Sequence, residues 1–85
     1  MTVTYKGMDK EFNYRVAEIN FDEDKEFEIV ERVAFFMNKV KGYTVDIVTE
    51  SYAMCEVENL DEFKDFAREW RAGVKMTKNC IKYGF

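Results

Sequence analysis

Apolar and polar positions alternate with a period of two at the start of the chain, where Val3 and Tyr5 stand between Thr2, Thr4 and Lys6. Gly7-Met8-Asp9-Lys10 supplies a turn, and Phe12, Tyr14 and Val16 resume the alternation, so this stretch reads as a β-hairpin. At Asp22 the period changes. Asp22, Glu23, Asp24 and Glu26 crowd a first helical turn, where carboxylates suit the positive end of the helix dipole. Phe27, Val30, Val33, Ala34, Met37 and Val40 then share one apolar arc, and Lys39 and Lys41 precede Gly42 at the far end. Val45, Ile47 and Thr49 alternate with Thr44, Asp46 and Val48, and after Glu50-Ser51 the run Tyr52 to Val57 completes a second hairpin. Asn59 caps a second helix with Leu60, Phe63, Phe66, Ala67 and Trp70 on one arc. Gly73 ends that pattern, and residues 74–85 read as a fifth strand.

The predicted class is α+β in the order ββαββαβ, a single domain over residues 1–85 with repeats at 1–42 and 43–73 and a C-terminal strand at 74–85. The repeats are suggested by sequence as well as by order. Tyr14-Arg-Val-Ala-Glu-Ile19 resembles Tyr52-Ala-Met-Cys-Glu-Val57, and Asn20 to Phe27 resembles Asn59 to Phe66. An internal ββα duplication accounts for this, as does convergence of two strand-to-helix junctions, since both want a capping side chain and an acidic first turn. Either way, the expected arrangement is an antiparallel sheet with two helices packed on one face. The other face is left for solvent or a partner.

Composition narrows the chemistry. In 85 residues, 47% hydrophobic and 16% aromatic, bulky rings can fill a core without disulfides or a structural metal. Cys55 and Cys80 are expected to be reduced thiols. The longest apolar run, Val33 to Met37, falls far short of the roughly 20 residues that span a bilayer. No membrane segment is therefore expected, and without a basic and apolar leader pattern at Met1 to Lys6 the expected location is the cytoplasm. The absence of His removes the commonest general base and metal ligand, and the four isolated Gly build no phosphate cradle. Neither an enzyme, nor a metal, nor a cofactor is expected.

Charge then directs attention to surfaces. Residues 1–67 carry 8 basic and 16 acidic side chains, whereas residues 68–85 carry 5 and 1. On the second helix Asp61, Asp65 and Glu69 recur every fourth residue with Glu62 beside them, and Lys64, Arg68 and Arg71 occupy the adjacent side. On the first helix Asp24, Glu28 and Glu31 recur similarly. Carboxylates four residues apart rise by about 6 Å, a coarse match to the phosphate charges of a nucleic acid. Such a surface suits a basic groove on another protein. Phe35 falls off the apolar arc, among Glu28, Glu31, Arg32 and Lys39, where an exposed ring would anchor an interface. The tail offers a rival, because Lys75, Lys78 and Lys82 interleave with Met76, Ile81, Tyr83 and Phe85 in a mixture that can track phosphates.

In size, acidity, lack of catalytic residues and mixed α/β order, the chain is similar to the small inhibitors that phages and mobile elements make against host defence nucleases, including anti-CRISPR proteins. The likeness is one of class and rests on no shared motif, so it transfers no residue roles. It implies a non-enzymatic inhibitor of a nucleic-acid-handling protein, acting through a DNA-mimic-like helix face. Asp61, Glu62, Asp65, Glu69, Glu28 and Glu31 are the expected electrostatic contacts and Phe35 the apolar anchor. A homo-oligomeric or scaffolding domain is one alternative. A nucleic-acid binder using the basic aromatic C-terminal segment is the other, disfavoured by a net charge of −4.

Overall fold

The computed structural model describes residues 1–9 and 14–84, and these form four antiparallel strands and two helices in one sheet-and-helix sandwich. In chain order they are β1 (Thr2–Asp9), β2 (Tyr14–Asn20), α1 (Glu23–Phe36), a π-helical turn (Met37–Lys41), β3 (Val45–Thr49), β4 (Tyr52–Val57) and α2 (Leu60–Tyr83). The sheet runs β1-β2-β4-β3, so the two hairpins meet along their second strands. Ala17 and Cys55, which the sequence alignment of the halves equates, face each other in the β2/β4 ladder. In the sheet order β1 flanks β2 on one side as β3 flanks β4 on the other.

The junctions form where capping chemistry places them. Asp22 Oδ1 accepts from the amides of Asp24 and Lys25, both at 2.9 Å, and the Glu26 carboxylate accepts from Asp22 N at 2.8 Å, a reciprocal cap of α1. Asn59 Oδ1 accepts from Glu62 N at 2.9 Å and opens α2. The equivalent Asn20 does not cap; it ends β2, and Asp22 takes over two residues later. The similar sequences of the two junctions thus start their helices in different registers.

Ala17, Ile19, Ala53, Cys55 and Val57 from the central strands meet Ile29, Val30, Val33, Ala34 and Met37 from the first helical segment and Phe66 and Trp70 from α2. Aromatic edges close the layer: Tyr43 packs edge-on to Phe66 at 5.1 Å and Phe66 lies 5.8 Å from Trp70. Trp70 Nε1 donates to Met1 Sδ at 3.3 Å, so its one polar atom is satisfied although the ring is buried.

Two expectations are corrected. Residues 74–83 are not a strand: α2 continues through Gly73 to Tyr83, and Gly84 caps it in the left-handed region at φ 74. Gly73 is inside the helix because α1 passes close by, and a Cβ on it would lie 3.1 Å from Val33 Cγ1. Gly7 does not open a turn either. It is a bulge inside β1, where the register shifts after Tyr5 and φ is 77, a geometry that a residue without Cβ adopts cheaply. Lys10, Phe12 and Phe85, which carried parts of the expected turn, hairpin and tail, lie outside the described residues. Among the described residues no helix is long and apolar enough to cross a membrane.

Candidate functional site

The carboxylates of α2 occupy its first ten residues, on the flank turned towards the π-helical turn and β3. Asp61 and Asp65 are exposed, while Glu62 and Glu69 are half-buried. Glu62 lines a shallow polar groove with Glu56, Glu58, Tyr43 and Thr44. Burial raises the pKa of the Tyr43 phenol, and the negative charges of Glu62 and Asp65 raise it further, which places these carboxylates around the ring. Two members of the row are paired with cations. Lys41 Nζ lies 3.3 Å from Glu69, and Arg68 lies 2.9 Å from Asp65. Along α1, Glu28 pairs with Arg32 at 2.8 Å, and Glu31 is exposed.

Cations thus interrupt the carboxylate stripe that the sequence spacing suggests. The helical segments together carry nine acidic and ten basic residues, so the excess of negative charge belongs to the sheet and the loops. On the sheet face turned away from the helices, Glu18 accepts from the Tyr52 hydroxyl and lies 3.5 Å from Lys6 Nζ. At one end of the sheet Glu23 and Glu50 meet, and the charge of Glu50 is the main cause of a raised Glu23 pKa.

Phe35 stands on the side of α1 opposite Val33 and Met37, with 66% of its surface exposed. Among the described residues no strand folds over it. Val40, which the apolar arc placed in the core, is 64% exposed, because the wider π-helical turn rotates it out while keeping Met37 buried. The structure therefore brings Glu28, Glu31 and Phe35 together on the outer face of α1, and Asp61, Glu62, Asp65 and Glu69 together on α2, as two separate groups.

A second arrangement on α2 escapes a reading in which the tail is a strand. Lys64, Arg68, Arg71, Lys75, Lys78 and Lys82 are all exposed and follow one another at steps of four and three residues. At 100° per residue they occupy an arc of about 80° and span about 27 Å of helix. The signal lay in the spacing of the cations rather than of the apolar residues. Between the helices, Val33, Phe36, Ala72, Gly73, Met76 and Cys80 line an apolar groove of about 220 Å³, with Met76 63% exposed.

Cys55 is buried, and its thiol is pushed up to about 12 by that burial. Among the described residues no group of three or more His, Cys, Asp or Glu is placed to hold a metal ion. Compared with protein families, curated proteins and solved structures, the chain matches none.

Proposed function

We propose that the chain is a non-catalytic binding module that docks on a basic protein surface through the outer face of α1. The observation that carries this reading is the exposure of Phe35 at the centre of that face, with 66% of its surface open to water. Nothing in the fold requires a Phe there, since the core is complete without it. Burying the rest of such a ring at an interface contributes about 1–2 kcal/mol, and a polar rim that excludes water makes the contribution effective. Glu28, Glu31 and Arg32 form that rim. The exposed carboxylate of Glu31, with Asp24 two turns earlier, favours a partner whose rim is cationic, as surfaces that handle nucleic acids are. The acidic sheet and loops strengthen the attraction at long range and make it sensitive to salt. Inhibition of such a partner, as the class likeness implies, follows if the module covers the surface that the partner needs.

The test is capture of a basic protein from a lysate by the immobilised chain, compared with Phe35→Ala and with Glu28→Gln/Glu31→Gln. The expected result is loss of capture with Phe35→Ala and weakening with the paired change, with folding unaltered. Equal capture by wild type and Phe35→Ala would exclude this face. A dimer in light scattering that Phe35→Ala converts to a monomer would assign the face to a second copy instead.

A further inference from the structure

All six cations of α2, Lys64, Arg68, Arg71, Lys75, Lys78 and Lys82, lie on one exposed flank of the helix. Of these, Arg68 has an ion pair, with Asp65, and Lys82 sits 5.4 Å over the Tyr83 ring. The other four make no ion pair among the described residues. Neighbouring cations at three and four residues repel one another, so the row opposes the stability of the helix that carries it. Compensation of the helix dipole explains Lys82 in the last turn, but not Lys64 and Arg68, which lie near the positive end. Solubility is served equally well by mixed charges. A segregated row of one sign needs another cause.

We infer that this flank is a docking surface for the phosphate backbone of double-stranded nucleic acid. The occupant is chosen by charge and shape. The cations advance by about 5.4 Å on average along a straight rod of about 27 Å, a one-dimensional array suited to a regularly charged polyanion. Among the described residues the arc of the six holds no aromatic side chain, and the exposed Tyr83 under Lys82 offers one ring at the end of the row rather than a series on which successive bases of a single strand would stack. The acidic residues of α2 end at Glu69, leaving its last fourteen residues with four cations and no anion. The negative sheet lies on the far side of the core, and a Debye length of about 8–10 Å at physiological salt screens it from a duplex on α2. Glu26 and Asp22 share grooves with Lys78, but both are engaged in the α1 cap. This surface is distinct from the Phe35 face, so the module could hold a basic protein and the duplex on which that protein works.

Fluorescence anisotropy with a labelled 20-base-pair duplex of arbitrary sequence, from low to physiological salt, tests the inference. If up to six phosphates are engaged, log affinity falls against log salt with a slope of about −3 to −5. Lys75→Gln/Lys78→Gln, two changes at exposed helical positions, is expected to make that slope shallower by about 2 and to weaken binding at low salt. Phe35→Ala is expected to leave duplex binding intact, which separates this inference from the protein-binding reading. Absence of binding at low salt, or a slope that the double substitution leaves unchanged, would overturn it. So would preference for the single strand, or a salt-sensitive self-association that uses these lysines without duplex binding.

Discussion

Gly73 on α2 sits directly against Val33 on α1: a Cβ on Gly73 would stand 3.1 Å from Val33 Cγ1. Two opposing effects meet in Gly73→Ala. Helix propensity favours Ala by about 1 kcal/mol, while forcing a methyl into a filled contact costs about 1–3 kcal/mol. Val33 is buried and β-branched, so its rotamer cannot yield easily and the clash should win. We expect a net loss of about 1 kcal/mol, read as a lower denaturant midpoint. In a Val33→Ala background the same change should become stabilising. A Gly73→Ala variant more stable than wild type on its own would show that the helices part without cost.

This contact also explains what was legible in the sequence. Alternation in Val45 to Val57, the acidic run from Asp22 to Glu26, the cap Asn59 and the apolar arcs of both helices are local signals, and local backbone preferences decide those elements. Gly73 carries the same local signal as a helix terminator, yet its role is tertiary, set by a residue forty positions away. Once Gly73 is taken for an end, the mixture of Lys, Met, Ile and Tyr beyond it resembles an edge strand, and the row of cations is cut in half. Val40 was displaced by the π-helical turn, whose extra residue breaks the arc assumed for it. The acidic spacing on α2 was correct as spacing. Its electrostatics depended on Lys41 and Arg68, whose partners only the fold reveals.

Asn38 clamps the start of β3 to the end of the first helical segment. Its Oδ1 accepts from Val45 N at 2.7 Å, and its Nδ2 donates to Val45 O at 3.2 Å. Replacement by Ala leaves both backbone groups of a buried residue without partners, which costs about 1–3 kcal/mol. Asn38→Asp keeps the acceptor but turns a second carboxylate oxygen on Val45 O. We expect Asn38→Asp to be destabilised at neutral pH and to recover partly as acid protonates it, whereas Asn38→Ala shows no such recovery. Urea midpoints at pH 7 and pH 4, each relative to wild type, distinguish the two.

Cys55 gives the pH dependence a definite sign. Its thiol is pushed up from its ordinary value of 9.0 to about 12 by burial. Between those values the unfolded chain has released the proton and the folded chain still holds it, so stability falls as pH rises. The slope from this one group approaches about 1.4 kcal/mol per pH unit, and its contribution is complete below pH 9. Cys55→Ala should flatten the decline above pH 9 while lowering stability at neutral pH, through the cavity it leaves. A disulfide-exchange reagent at pH 8 should modify the half-buried Cys80 first, and Cys55 only on unfolding. Rapid modification of both thiols in the native protein would contradict the burial.

The end of α2 should open before the rest of the helix does. From Lys75 to Gly84 no residue is fully buried, whereas Phe66, Ala67 and Trp70 are. Packing rather than propensity supplies most helical stability, and among the described residues the helix beyond Trp70 meets the core through Val74, Thr77 and the groove around Met76. Amide hydrogen exchange should therefore show residues 64–74 exchanging near the global unfolding free energy and residues 79–83 exchanging by local fraying. A polyanion laid along Lys64 to Lys82 bridges the two regions and removes repulsion within the row. Adding duplex at low salt should then slow exchange selectively at residues 75–83. Slowing confined to residues 60–70, or spread evenly over the chain, would mean that the duplex engages some other surface.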